Sequence, residues 1–164
     1  MKQLSKRFIM LFVVLIIFGM FFGCSIIDEP SKEAAEAHLE RDKDDLLYMV
    51  QWLQDTEYSY ISFDRSRSYA LAELEHIPID EEIRPTVERL LNEEEYRIII
   101  MNRERNAIQF EFWSSVHEQD CGLVYVLDKS RLPDVQYMTQ CEPLSVDRWY
   151  YYFADFNKWR VDRQ

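Results

Sequence analysis

The side chains that could perform acid–base or metal chemistry are few and lie far apart along the chain. His117 and Glu118 precede Cys121, as in half of a His-Glu-x-x-His zinc helix, but the second histidine is missing and the segment lies between predicted strands. We therefore expect turn residues here. His38 is expected to be solvated on a helix, and His76 is expected to end one. The sequence predicts no catalytic residue, no metal ligand and no cofactor.

Acidic residues form three short clusters, within 42–45, 80–82 and 93–95. They could hold a divalent cation such as calcium only if two clusters met in space, and solvated helix faces explain them more simply. Gly122 is the only glycine after residue 23, which excludes the glycine-rich loops that bind nucleotide phosphates. Serine-hydrolase motifs and Cys-x-x-Cys zinc motifs are absent too. A binding domain is therefore expected ahead of an enzyme.

The aromatic residues point most directly to binding. The chain has four tryptophans, and aromatic side chains occupy every position from 149 to 153. A strand over this run presents rings to both faces of its sheet, and only one face needs to be core. Rings on the other face would bind glycans, peptides or proteins, although burial against a helix is the simpler expectation. The predicted ligand-binding residues are Trp113, Trp149, Tyr150, Tyr151 and Tyr152.

The N-terminus has the pattern of an export signal. Three basic residues among the first seven precede fifteen residues without a polar side chain, Phe8 to Phe22, and Gly23-Cys24 follows directly. This arrangement resembles the lipobox of bacterial lipoproteins, in which a small residue precedes the lipidated cysteine. The resemblance covers residues 1–24. It implies cleavage after Gly23, attachment of diacylglyceryl and palmitate-type chains to Cys24, and a location on the outer face of a bacterial cell membrane.

A signal anchor is the alternative interpretation of the same segment, because residues 8–27 are just long enough to span a bilayer of about 30 Å hydrocarbon thickness. Both interpretations place the rest of the chain outside the cytoplasm. The predicted division is a signal peptide at 1–23, a lipidated cysteine and tether at 24–30, and a single domain at 31–164.

The charge of the chain limits its partners. There are 19 lysines and arginines against 30 aspartates and glutamates, and loss of the three basic residues of the leader leaves 16 against 30, a net charge of −14. No nucleic-acid partner is expected, because such affinity depends on basic side chains at phosphates. Anionic lipid headgroups would also repel the domain, so the anchor must hold it at the membrane.

Cys121 and Cys141 form an even pair, as expected in an exported domain. They lie in strand-like segments at 121–127 and 135–141, and a hairpin centred on Arg131 would place them directly opposite each other. The sequence therefore predicts a disulfide worth about 3 kcal/mol. Two buried free thiols are the expectation for a cytosolic domain.

Hydrophobic periodicity predicts helices first and a sheet second. One amphipathic helix is expected from an N-cap at Ser31 to about residue 53, a second at 64–76, and a third that has Pro85 near its start and ends within 93–95. The alternating segment 58–63 fits either a short strand or a turn. The predicted fold class is α+β, with two or three N-terminal helices packed on a four- or five-stranded antiparallel meander. The strands are expected at 96–102, 107–115, 121–127, 135–141 and 147–155.

Two functional classes follow from these observations. The preferred one is a non-enzymatic, membrane-tethered domain that binds a protein, a peptide or a cell-envelope glycan through an aromatic sheet face. The alternative is a small hydrolase or ligand-binding enzyme with a pocket between the helices and a curved sheet. That alternative rests on fold-level analogy to cystatin-like or nuclear-transport-factor-like folds. The first is preferred because the sequence contains no activated nucleophile, ligand triad or phosphate loop.

Overall fold

The computed structural model describes residues 31–115 and 119–162. The predicted signal peptide, Cys24 and its tether lie outside these residues, as do His117 and Glu118. No helix in the described chain is long and apolar enough to cross a membrane. One antiparallel sheet organises the described residues. Its strands are β1 (Tyr60–Asp64), β2 (Tyr69–Ala72), β3 (Glu75–Pro78), β4 (Ile98–Asn102), β5 (Ala107–Ser114), β6 (Gln119–Val126), β7 (Met138–Pro143) and β8 (Trp149–Asp155).

The predicted first helix is two helices that meet at Asp42. Ser31 caps the first as predicted, since its hydroxyl accepts a hydrogen bond from the Ala34 amide at 3.2 Å. The Asp42 side chain is buried and accepts hydrogen bonds from the Tyr96 hydroxyl at 2.9 Å and from Arg41 at 2.7 Å, so the break is tied into the core. The helices are α1 (Lys32–Arg41), α2 (Lys43–Asp55), α3 (Arg84–Glu88), which continues as a π-helical turn at Arg89–Glu93, and α4 (Phe156–Asp162).

The β2–β3 hairpin replaces the helix predicted at 64–76, which is wrong. Its two-residue turn consists of Glu73 and Leu74, with φ angles of 47° and 72°. Residues other than glycine and asparagine rarely adopt this left-handed backbone, so the turn carries no usual sequence signal. The Glu73 carboxylate holds the turn by accepting hydrogen bonds from the amides of Ser59 at 2.6 Å and Tyr60 at 3.0 Å.

The mixture of helices and one antiparallel sheet is confirmed, but the predicted strand number is wrong. The described chain has eight strands in the order β3-β2-β1-β4-β5-β6-β8-β7. The three extra strands are β1, which pairs with β4, and β2 and β3, which extend the sheet from β1 to one edge. The sheet is therefore not a simple meander, because β8 lies between β6 and β7.

That strand order also overturns the predicted disulfide. Cys121 on β6 lies opposite Phe153 of β8, and Cys141 on β7 lies opposite Tyr152. Phe153 and Tyr152 are neighbours on one strand and point to opposite faces, so the two cysteines lie on opposite faces of the sheet. Both are free thiols. Burial raises the pKa of both, that of Cys141 to about 11.

The main core fills the space between the helices and one face of the sheet. Burial of large apolar side chains is the dominant favourable contribution to folding, and this face carries most of them. The largest buried side chains of this core include Trp149, Tyr96, Tyr151, Phe63, Phe110 and Leu39.

The opposite sheet face is only partly covered. A smaller core forms there around Val124, Val135 and Tyr152. The segment that follows β6 lies over it and is held by the buried Asn106, whose side-chain amide donates to the carbonyls of Asp128 at 2.9 Å and Arg131 at 3.0 Å. This cover lies over the β6–β8 side of the sheet, and a pocket opens on the β1–β4–β5 side of the same face.

Candidate functional site

A pocket of about 610 Å³ lies on the sheet face opposite the main core. We call it the Glu111 pocket. Its walls come from β4, β5 and β6 and from the end of β1 with the turn after it, and charged or hydroxyl side chains dominate them. A concave site with convergent polar groups is the usual form of a small-ligand site. The lining includes Asp64, Arg65, Ser66, Arg97, Glu111, Ser114 and Asp120.

Strand register places Glu111 in the middle of this pocket. Asp64 of β1 lies opposite Ile98 of β4, and Ile98 lies opposite Glu111 of β5. Residues directly opposite each other in antiparallel strands point to the same side, so these three share one face. Glu111 in turn lies opposite Gly122 of β6, next to a β-bulge that ends at Trp113. The bulge is a common device for directing a side chain at a functional site.

Gly122 is required by the close approach of β5 and β6 at this bulge. A Cβ atom on Gly122 would lie 2.2 Å from the carbonyl oxygen of Phe110 and 2.9 Å from the Cα atom of Glu111. Both contacts are with backbone, which cannot move aside as a flexible side chain can. The missing side chain therefore permits the strand approach and leaves Glu111 uncovered by its cross-strand neighbour.

Glu111 is a carboxylate in an unfavourable electrostatic environment. Its side chain is 14% exposed, and its Oε1 atom lies 3.1 Å from Nη1 of Arg97. Burial raises its pKa, the nearby Asp120 and Asp64 carboxylates raise it further, and Arg97 lowers it in part. The result is a pKa of about 7 in place of the ordinary 4.5. Glu111 therefore changes charge near neutral pH.

The other charged groups of the pocket are largely held by their own partners. Burial alone would raise the pKa of Asp64, but hydrogen bonds from the Ser66 amide at 2.8 Å and hydroxyl at 2.6 Å lower it overall. The Nε atom of Arg65 donates to the carbonyl of Leu91. Arg97 is thus the guanidinium that offsets Glu111, while Asp120 adds a second negative charge next to it.

This arrangement favours a positively charged ligand. Three carboxylates and two guanidinium groups line the pocket, and Arg67 lies 4.0 Å from one of them, Asp64. Excess negative charge therefore arises beside Glu111 and Asp120 once Glu111 is ionised, since Arg97 is the cation that lowers the Glu111 pKa. No group of three or more Asp, Glu, His or Cys side chains in the described ranges is arranged to hold a metal ion. Spread-out carboxylates with serine hydroxyls beside them match a ligand with several N–H donors, such as an amine or a guanidinium.

The predicted aromatic site residues do not form an exposed surface. Trp149, Tyr151 and Tyr152 are each 1% exposed, so the expectation of burial is the correct one for them. Tyr150 is half-buried against the smaller core. Trp113 is also half-buried, with its ring 6.4 Å from that of Phe153. The physical reason is that β8 is covered on both faces, by the main core and by the segment after β6.

The described histidines also differ from expectation. His38 is not solvated: its side chain is 17% exposed, and its ring stacks on Phe112 at 4.3 Å. Burial, followed by the charge of Arg41, lowers its pKa. His76 does not end a helix but lies in β3, stacked on Tyr69 at 4.2 Å. Neither lines the Glu111 pocket.

Sequence reasoning missed the residues that form the pocket. Alternation along β5 puts Glu111 on the face opposite Phe110, so a polar face was visible in the sequence. The alternation does not reveal the strand order, which brings Asp64, Arg97 and Asp120 into the pocket with Glu111. Comparison with known proteins finds no matching family model, no similar curated protein and no similar solved structure. The fold and site define an α+β domain with a charged pocket on an open sheet face.

Proposed function

We propose that this protein is a lipid-anchored, extracytoplasmic binding domain and that its ligand, bound in the Glu111 pocket, carries an amine or guanidinium group. The observation that carries the proposal is a nearly buried carboxylate, Glu111, crowded by Asp120 at the base of an open pocket. A strongly perturbed pKa in a cleft is typical of functional sites. The anchor and the extracytoplasmic location rest on the lipobox-like leader and Cys24, because the free thiols of Cys121 and Cys141 do not support them.

A cation would relieve the repulsion that raises the Glu111 pKa. When Glu111 ionises beside Asp120, two negative charges share a site of reduced dielectric, and among the described residues Arg97 is the cation that offsets the charge of Glu111. A bound ammonium or guanidinium group stabilises the ionised form and displaces the proton. Binding is therefore linked to pH and becomes tighter as Glu111 ionises.

This linkage can be measured with simple probes. Agmatine, whose amine and guanidinium groups both stay charged over this range, should bind the detergent-solubilised protein about tenfold more tightly at pH 8 than at pH 6, because Glu111 ionises between these values. Isothermal titration calorimetry would measure the affinity, with succinate as an anionic probe that should not bind. The Glu111→Gln variant should lose most of the pH dependence, whereas the matched Asp134→Asn variant, at an exposed site, should keep it. Equal affinity at both pH values would contradict the proposal.

A hydrolase is the second candidate, because a carboxylate with a pKa near 7 is suited to general acid–base catalysis. Binding is preferred because Glu111 has no nucleophilic partner among the described hydrogen bonds. Ser66 donates instead to Asp64 at 2.6 Å, and Ser114 lies on β5 opposite Asp120. Turnover of esters or amides that is lost in Glu111→Gln would favour the hydrolase.

The anchor is tested at Cys24. Metabolic labelling with a fatty-acid analogue should mark the wild type and the Cys141→Ala control, but not the Cys24→Ala variant, because only Cys24 is expected to be acylated. In-gel fluorescence of the captured label measures the result. Equal labelling of all three proteins would contradict lipidation at Cys24. Membrane retention without any labelling would favour the signal anchor at 8–27 instead.

A further inference from the structure

A second pocket, of about 580 Å³, lies at the β3 edge of the sheet, where α2 faces β1, β2 and β3. We call it the Trp52 groove. Its floor and walls are mainly apolar, and two acidic residues stand at its rim. It shares no lining residue with the Glu111 pocket. The residues used below are Trp52, Tyr58, Phe63, Ile77, Asp80 and Glu81.

Two aromatic rings of this groove, those of Trp52 and Tyr58, are partly exposed to solvent, whereas Phe63 is buried in the main core. Trp52 is half-buried and meets Phe63 edge-to-face with ring centroids 6.2 Å apart. Tyr48, one turn earlier on α2, is 37% exposed, and its hydroxyl donates to Glu82 at 3.3 Å. Residues four apart on a helix share a face, so the two rings lie on the same side of α2. Partly exposed Trp and Tyr rings are enriched at sites of protein recognition.

The rim of the groove carries unbalanced negative charge. Of Asp80, Glu81 and Glu82, only Glu81 has a basic partner among the described ion pairs, Arg84 at 2.8 Å. Asp80 accepts a hydrogen bond from the Glu82 amide at 2.8 Å, but this neutral donor does not compensate the charge of the carboxylate. Burial raises the pKa of Tyr48, and the nearby Glu82 and Asp80 carboxylates raise it further. The negative potential of these two carboxylates therefore extends to the Tyr48 ring.

We propose that the Trp52 groove binds a peptide segment of a partner protein in which a lysine or arginine stands next to a large apolar residue. The apolar side chain fills the space between Trp52 and Ile77. The basic side chain lies over the aromatic face of α2 and pairs with Asp80 and Glu82. Cation–π contact and charge complementarity both select for the basic residue, and the apolar groove selects for its neighbour. This inference is independent of the ligand of the Glu111 pocket.

The test uses four fluorescein-labelled octapeptides with one Gly/Ser frame and a central Leu-Arg, Leu-Gln, Ser-Arg or Leu-Glu pair. Fluorescence anisotropy with the full chain in detergent should rank Leu-Arg first. The other three peptides should bind at least about tenfold more weakly, since each lacks one of the two contacts. Equal binding of all four peptides, or no binding by any of them, would overturn the proposal.

Variants of the groove separate recognition from folding. Trp52→Ala should weaken Leu-Arg binding by at least about tenfold. The double variant Asp80→Asn/Glu82→Gln changes only exposed side chains, so it should stay folded and should lose the preference for Arg over Gln. Leu47→Ala, on an exposed part of α2, is the control that should bind as wild type. A charge variant that keeps the preference would overturn the proposal. Self-association that Trp52→Ala abolishes would assign the groove to a second copy and overturn it too.

Discussion

Replacement of Glu111 by glutamine is expected to abolish a loss of about 3 kcal/mol in the free energy of unfolding, which the wild type shows when the pH rises from 4 to 8. The folded-state pKa is about 7 and the ordinary value is 4.5. Below the ordinary value both states are protonated, and the fold has its full stability. As the pH rises towards 7 the unfolded chain ionises while folded Glu111 keeps its proton, so stability falls, by about 1.4 kcal/mol per pKa unit. The glutamine variant has no such proton.

Urea unfolding at both pH values measures this effect as a difference between two proteins. The pKa values of Asp128, Asp147 and Asp155 are lowered, mainly by hydrogen bonds from neighbouring residues, so these groups act in the opposite direction. They are present in both proteins and cancel in the comparison. Glu104→Gln, at an exposed position, is the control and should follow the wild type. If the Glu111→Gln and wild-type stabilities change in parallel with pH, Glu111 is not a buried carboxylate.

Replacement of Gly122 by alanine is expected to destabilise the fold by about 3 kcal/mol, because the added methyl group overpacks a closely packed strand pair. The new Cβ atom would lie 2.2 Å from the Phe110 carbonyl oxygen, so β5 and β6 must separate at the bulge. That movement also displaces Glu111, which lies directly opposite. Probe binding at the Glu111 pocket should therefore weaken together with stability.

Chemical denaturation of Gly122→Ala measures the stability change, and calorimetry with agmatine measures the loss of binding. Ala37→Ser, on an exposed part of α1, alters a small side chain without a backbone clash and should have little effect on either. A Gly122→Ala protein within about 1 kcal/mol of wild type would mean that the strands tolerate the methyl group. The close approach described above would then be wrong.

The sequence predicts best those helices and strands whose apolar residues repeat with the period of the element itself. The buried side chains of α2, Leu46, Met49, Val50 and Leu53, repeat with the helical period and lie in the core as expected. Alternation likewise predicts β5, where Ile108 and Phe110 are buried. In both elements a single apolar face is specified by the residues themselves.

The errors concern turns and strand order. Glu73-Leu74 forms a tight turn without the glycine or asparagine that normally marks one, so the residue pattern does not predict the β2–β3 hairpin. The symmetry of segments 121–127 and 135–141 suggested a hairpin, but β8 pairs with both β6 and β7. Residue pattern alone cannot reveal that a later strand inserts between two earlier ones, because this depends on tertiary packing.

The candidate site depends on the same non-local information. Glu111 is identifiable as a polar residue on an alternating strand, but its altered pKa is not, because Asp120 and Arg97 approach only through the pairing of β4, β5 and β6. The aromatic run at 149–153 was correctly identified as one strand. Most of this strand is buried because other parts of the chain pack on both of its faces, and this packing cannot be deduced from the residue pattern.

The ionisation of Glu111 in the presence of a cation tests the central claim most directly. The ¹³C resonance of its carboxyl carbon, assigned by its absence from Glu111→Gln, can be followed by NMR from pH 3 to pH 9 with and without agmatine. We predict a pKa of about 7 for the protein alone and a lower value with the probe. A pKa near the ordinary 4.5, unchanged by agmatine, would contradict a cation-binding pocket built around a buried carboxylate.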